Sequence, residues 1–222
     1  MKSLPLKFSQ PVCLVGGGAL TRDMLDQGRA LAPVLVAADG AADRLAALGL
    51  MPDAVIGDMD SLSDPARWRD QTTVVEIAEQ DSTDFGKCLY ATDAPFYIAP
   101  GFTGRRIDHM LAVFSTMLAH PHKPVILLGE AEVSALVPPK KTLTFEMEVG
   151  TVVSIYPLAP VTGTVSEGLR WSVEGLRLQA GQQVGTSNEA SATRVSLAFD
   201  RPGALLMLER DYLAALVRAL TQ

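Results

Sequence analysis

The sequence predicts a chain in two parts, an α/β N-terminal domain with a mostly parallel sheet and an all-β C-terminal domain of sandwich or barrel-like form. Two observations carry this. Up to about Val137, short runs of Val, Ile and Ala alternate with helical patterns, as expected for strands buried on both faces of a parallel sheet. Beyond Pro138 the apolar period drops to two, and Gly, Pro, Ser and Asn divide the chain into short strands.

In chain order, the predicted strands of the first part are Val12–Val15, Val34–Ala38, Ala54–Ile56, Val74–Ile77, Phe96–Ala99 and Val125–Leu128. Helical patterns cover Arg44–Leu48, Thr83–Tyr90 and Arg106–Ala119. In the last of these, Ile107, Leu111, Phe114 and Leu118 form one stripe expected to face the sheet. A further helix is expected after Gly16, Gly17 and Gly18. Pro138 and Pro139, followed by Lys140 and Lys141, mark a boundary between domains 1–137 and 138–222. In the second, Leu143, Phe145, Met147 and Val149 alternate with polar residues. Further strands are expected at Val152–Tyr156, Gly168–Val173, Thr193–Phe199 and Ala204–Leu208, then a helix over Tyr212–Leu220 capped by Asp211. The run Thr186–Glu189 reads as a turn.

Composition narrows the function. Of 222 residues, 48% are hydrophobic, enough for packed cores. The two cysteines, Cys13 and Cys88, stand at no metal-ligand spacing, so reduced, buried thiols are expected. A net charge of −6 argues against a broad nucleic-acid surface. No stretch approaches the length of a membrane span, and the N-terminal residues lack the pattern of a signal peptide, which places the chain in the cytoplasm.

The chemistry lies in where the carboxylates fall. Asp39 follows the strand VLVAA, and Asp58 and Asp60 follow DAVIG within GDMDS. Asp84, in DSTDFGK, and Asp108, in GFTGRRIDH, each begin a helix after a strand. In open α/β sheets ligands gather outside the carboxyl ends of the strands, so these loops can deliver their acids to one crevice. Gathered there, the carboxylates would repel one another, and a bound cation answers that repulsion. Mg²⁺ takes one or two carboxylates directly and completes its oxygen octahedron with water and phosphate. Lys87, on the same helical face as Asp84, and Arg106, two residues before Asp108, supply cations for phosphate oxygens. Gly16–Gly18 and the pair Gly101 and Gly104 allow backbone N–H groups to approach a phosphate, although neither matches a P-loop or the full dinucleotide fingerprint. Each residue also has a plainer reading. The aspartates serve as helix caps and turn residues, Lys87 and Arg106 as surface charges, His109 as a helix residue with a backbone partner, and Trp171 as core.

The ordered motifs DGAADRL, GDMDS, DSTDFGK, GFTGRRIDH, EGLRW and TSNE resemble those of thiamine pyrophosphokinases across nearly the whole chain. The resemblance implies an ATP- and Mg²⁺-binding α/β domain, a β-rich thiamine-binding and dimerisation domain, and a homodimer with thiamine bound between subunits. It implies catalytic roles for Asp58, Asp60, Asp84 and Asp108, with Asp58, Asp60 and Asp84 on the metal. Asp39, Lys87, Gly104, Arg106 and His109 fall on the ATP side, and Ser187, Asn188 and Trp171 on the thiamine side. The sequence departs from the usual family pattern at Ala41, Asp43, Gly86 and Arg105, and none of these removes a matched aspartate. Rival readings of the same acids are a Mg²⁺-dependent phosphohydrolase or nucleotidyl transferase, and a nucleotide or thiamine sensor without turnover.

Overall fold

A computed structural model describes residues 4–104 and 106–222. Arg105, one of the departures named above, lies outside the described residues. The chain divides into two compact units, the first Met1–Thr116 with Leu127–Glu130 and the second Met117–Ile126 with Ala131–Gln222. The division expected from sequence lay instead at the proline pair 138–139.

The first unit opens with the short strand β1 (Leu6–Lys7) and continues through β2 (Val12–Val15), α1 (Arg22–Leu31), β3 (Val34–Ala38), α2 (Ala41–Ala47), β4 (Ala54–Gly57) and α3 (Pro65–Gln71). It then runs through β5 (Thr73–Glu76), α4 (Asp84–Ala91), β6 (Thr92–Asp93) and β7 (Tyr97–Pro100). Helix α5 (Ile107–Ala119) and strand β8 (Val125–Leu128) cross the division. The strand order is β8-β7-β2-β3-β4-β5, and β7, β2, β3, β4 and β5 pair in parallel. Strands β2, β4 and β7 are buried along their whole length, which is why their sequences are continuous apolar runs rather than alternating ones.

Side-chain caps start the helices. Thr21 accepts from the Met24 amide at α1, Asp64 from the Arg67 amide at α3, and Thr83 from the Gly86 amide at α4. Helix α1 buries Met24, Leu25 and Gly28. At Gly28 an added Cβ would come within 3.2 Å of the Cys13 sulfur, so the helix lies close above β2. Cys13 and Cys88 are both buried free thiols.

The second unit contains β9 (Glu132–Leu136), β10 (Leu143–Glu146), β11 (Val152–Pro157), β12 (Val161–Glu167), β13 (Arg177–Leu178), β14 (Gly185–Glu189), β15 (Arg194–Phe199) and β16 (Ala204–Glu209), and ends in α6 (Leu213–Thr221). One antiparallel set runs β14-β11-β16-β9 and another β10-β15-β12-β13. β10 shows the period-two pattern directly, with Leu143 and Phe145 buried and Thr144 and Glu146 exposed.

Four sequence expectations are corrected. Along α5 the buried residues are Val113 and Met117, while Ile107 and Leu111 are 72% and 59% exposed. This helix carries a second apolar row at Met110, Val113 and Met117, so periodicity alone did not identify the inward face. Gly168–Val173 is not a strand. Gly168 has φ +69°, and an added Cβ would lie 2.0 Å from the Arg194 carbonyl, so the chain bends where backbones meet. Thr186–Glu189 belongs to β14 instead of a turn, because its backbone pairs with β11. Asp211 caps nothing. It sits in a 3-10 turn, Arg210–Tyr212, and α6 begins at Leu213.

Candidate active site

The connections leaving β3, β4, β5 and β7 surround a cavity of about 520 Å³ within the first unit. Its wall includes Asp39, Asp58, Asp60, Asp84, Lys87, Gly104, Arg106 and His109 from the sequence expectation, together with Gly17, Gly18 and Gly101. Asp108 is not on the wall. It is exposed and forms a two-pronged ion pair with Arg106, Nη2 to Oδ2 at 2.6 Å. That pairing holds the Asp108 carboxyl below its ordinary range.

Three carboxylates converge. Asp39, Asp58 and Asp60 each offer an oxygen within 4.8 Å of the others. The sequence reading put Asp84 with Asp58 and Asp60 on the metal; Asp84 lies on the same cavity wall, its Oδ1 3.7 Å from the Lys87 ammonium. Two backbone features create the convergence. Asp39 and Met59 both adopt left-handed conformations, φ +45° and +69°, which non-glycine residues rarely hold and which re-aim the chain beyond β3 and within GDMDS. Gly57 makes room, since a Cβ there would lie 2.6 Å from that of Asp39.

The electrostatics of the group are uneven. Asp39 is 2% exposed, its Oδ2 accepts from the Ser61 amide at 3.3 Å, and its Oδ1 is buried without a partner. Burial, followed by the charge of Asp84, pushes its pKa up to about 6 against the relief from Ser61. An orphaned carboxylate oxygen beside two further carboxylates suits an oxygen-seeking divalent cation, so the residues present fit Mg²⁺. Asp58 is held well below the usual range, first by a hydrogen bond from Lys87. Lys87 is 1% exposed and donates to Asp58 at 2.7 Å. Burial alone would lower its pKa. The bond to Asp58 and the charges of Asp58, Asp84 and Glu79 outweigh burial and raise it. Asp84 is raised, chiefly by burial.

Sequence reasoning missed Gln80, whose amide donates to Asp58 at 3.0 Å, and Phe102, whose ring lies 4.7 Å from that of Phe85 at the cavity wall. Neither carries a pattern that marks it in one sequence. It also missed how tightly the two glycine loops interlock. The Gly18 amide donates to Gly101 O at 2.6 Å, and a Cβ on Gly16 would lie 2.5 Å from that same oxygen. Arg44 donates to the carbonyls of Gly17 and Gly18 at 2.8 and 2.6 Å, fixing this edge of the cavity.

The residues expected on the thiamine side form their own cluster in the second unit. Asn188 is 3% exposed. Its Oδ1 accepts from the Trp171 and Glu189 amides, and its Nδ2 donates to Trp171 O at 2.7 Å. Trp171 is 54% exposed, so it is not core. The Arg170 guanidinium lies 4.7 Å from its ring and also pairs with Glu189 at 2.6 Å. Ser187 is exposed with φ +59°, and its amide donates to Ser154 Oγ at 2.9 Å.

The chain matches two family models. "Thiamin pyrophosphokinase, catalytic domain" covers residues 26–127, and "Thiamin pyrophosphokinase, vitamin B1 binding domain" covers 140–203. Among characterised sequences, thiamine pyrophosphokinase 1 of Arabidopsis thaliana is 26% identical over 67% of this chain and 62% of its own length. Thiamin pyrophosphokinase 1 of Caenorhabditis elegans is 28% identical over 66% of this chain and 65% of its own. The matched region thus spans less than two thirds of these relatives. In fold, the chain resembles the yeast thiamin pyrophosphokinase, with TM-score 0.75, 18% identity, and coverage of 95% of this chain and 93% of that one. The thiamine pyrophosphokinase of Bacillus subtilis gives TM-score 0.71 and 21% identity over 90% of this chain and 98% of the other.

Proposed function

Because the chain belongs to the thiamin pyrophosphokinase family, we propose that it transfers the β and γ phosphoryl groups of ATP together to the hydroxyl of thiamine, as a cytoplasmic enzyme. The observation that carries this reading is the cavity at the strand ends, where a carboxylate triad with an orphaned oxygen stands beside two interlocked glycine loops. In the transfer, the thiamine hydroxyl gives up its proton to solvent, its oxygen bonds to the β-phosphorus, the bond from that phosphorus to the α–β bridging oxygen breaks, and AMP leaves.

Asp39, Asp58 and Asp60 would hold Mg²⁺, which when bound neutralises phosphate charge. The remaining work belongs to the chain. Gly17, Gly18, Gly101 and Gly104 line the space for the phosphates, while the Gly16 and Gly18 amides are held by Pro100 O and Gly101 O and so fix the loops, and Arg106 adds a planar cation at its rim. Lys87 is better suited to holding Asp58 and Asp84 in place than to reaching substrate, since its ammonium is buried and bonded to Asp58. Asp108 would orient Arg106, and His109 lines the same rim. Catalysis of this kind is positioning and charge stabilisation.

Ser187 and Trp171 are assigned to thiamine, with Asn188 behind them. The β-rich second domain is read as sandwich-like and as the dimerisation domain. Exposed Val152, Tyr156 and Trp171, at 44%, 37% and 54%, supply apolar surface for a second copy in a homodimer whose subunits share the thiamine site.

Incubating the purified protein with Mg²⁺, ATP and thiamine tests the proposal. AMP and thiamine diphosphate forming in equal amounts is the expected outcome. ATP consumed at the same rate without thiamine would instead favour a phosphohydrolase, and binding without turnover a sensor.

A further inference from the structure

We propose that Asp43 is a positioning residue that sets the geometry of Asp58 and Asp60 by clipping the segment that follows them to helix α2. The inference rests on the reading that those aspartates hold a divalent cation.

Asp58 and Asp60 sit on the connection between β4 and α3, which contains a left-handed residue, Met59, and regular structure resumes only at Pro65. Left to itself, such a connection has many conformations, and the spacing of its carboxylates would spread accordingly. The connection is tied at successive points to the neighbouring chain that leaves β3. The Ser61 amide donates to Asp39 Oδ2 at 3.3 Å, and two residues later the Ser63 amide donates to Asp43 Oδ2 at 2.7 Å. The other oxygen of Asp43 accepts from the indole nitrogen of Trp68 at 2.9 Å. Trp68 is fully buried and begins the second turn of α3, so Asp43 is anchored to the far end of the connection as well as to its middle. Gly40 lets the connection pack closely against the start of α2, because a Cβ there would lie 2.8 Å from the Ser61 carbonyl oxygen.

A carboxylate suits this double role. Both partners are N–H donors, and each takes one oxygen of Asp43. An asparagine at this position offers its one acceptor oxygen on a single side, so it cannot give a separate oxygen to each donor and turns its own N–H toward one of them. Asp43 belongs neither to the cavity wall nor to the triad. Its effect on chemistry therefore runs through the loop that it holds.

The test compares Asp43→Asn, Trp68→Phe and the double variant with the unaltered protein. Trp68→Phe keeps an aromatic ring in the core and deletes the donor. Hydrogen exchange is followed across residues 58–64, alongside the Mg²⁺ concentration giving half-maximal rate at saturating ATP and thiamine. In both single variants the loop amides exchange faster while β2 and β3 keep their protection. The half-saturating Mg²⁺ rises about tenfold, the scale seen when groups that orient metal ligands are removed, and the KM for thiamine stays unchanged. The double variant behaves like Asp43→Asn alone, because the only bond Trp68→Phe removes is one that ends on Asp43. Unaltered loop exchange, or effects of the two substitutions that simply add, overturns the proposal. So does a loss of thermal stability with no movement in the Mg²⁺ requirement, which marks a purely structural role. Should the unaltered protein form no thiamine diphosphate, the functional reading fails, while the exchange measurement still decides whether Asp43 holds the loop.

Discussion

Asp39 is the residue on which the site turns. It is buried, carries an unpartnered oxygen, and its pKa is pushed up to about 6 by burial and neighbouring acids. Such an arrangement is costly without a cation and natural with one. Asp58 and Asp60 complete the triad from a different connection, so replacing either should remove chemistry rather than structure. Asp58→Asn and Asp60→Asn are each expected to lower turnover by about a hundredfold or more, the scale of losing one preorganised electrostatic contact, with circular dichroism unchanged. Wild-type rates in both variants would contradict a metal role. The placement of these acids at strand ends was legible because each follows an apolar run. The burial of Lys87 was not. Helical spacing puts it on the face of Asp84, but whether that face meets substrate or interior depends on how α4 packs, which no local pattern records.

Strands β2, β3, β4, β7 and β8 could be read from sequence because a strand buried on both faces is an uninterrupted apolar run. β14 could not, since Thr, Ser, Asn and Glu carry no alternation and its pairing with β11 is purely a backbone affair. The interlocked glycine loops give the sharpest prediction for an element. Gly101 has φ +81°, and a Cβ there would lie 2.4 Å from Gly16 O. Gly101→Ala must therefore displace one loop from the other, raising the KM for ATP by about tenfold, the cost of roughly one hydrogen-bonded contact, while the thiamine KM holds. An unchanged ATP KM would show that these loops do not face the nucleotide.

In the second unit, Asp200 ties the start of β12 to the turn after β15, accepting from the Thr162 amide at 2.8 Å and from Arg201. The Thr162 bond holds its carboxyl below the ordinary range. A depressed folded pKa means that the bond stabilises the protein fully above the unfolded value near 3.8 and is lost as pH falls through the lower folded value. Asp200→Asn should thus destabilise the protein by about 1 kcal/mol at neutral pH, with the gap in melting temperature closing in acid. A gap that persists unchanged at low pH would contradict this.

At the scale of the whole molecule, two regions of different apolar period stand out in the sequence. The change of apolar period near residue 138 separates the regions matched by the two family models, 26–127 and 140–203. The compact units nonetheless exchange segments near residues 117–130, because α5 and β8 cross the division. Packing decides that exchange, and the apolar period does not encode it. Among the described residues no helix is long and apolar enough to cross a membrane. Family membership and the acid-lined cavity meet in one chemical claim, that the β and γ phosphoryl groups move as a unit. ATP labelled at both the β and γ phosphorus tests it directly. The account predicts that both labels arrive together in thiamine diphosphate and that unlabelled AMP is released. Transfer of the γ label alone with release of ADP, or recovery of the labels as free phosphate or pyrophosphate in the presence of thiamine, would contradict it.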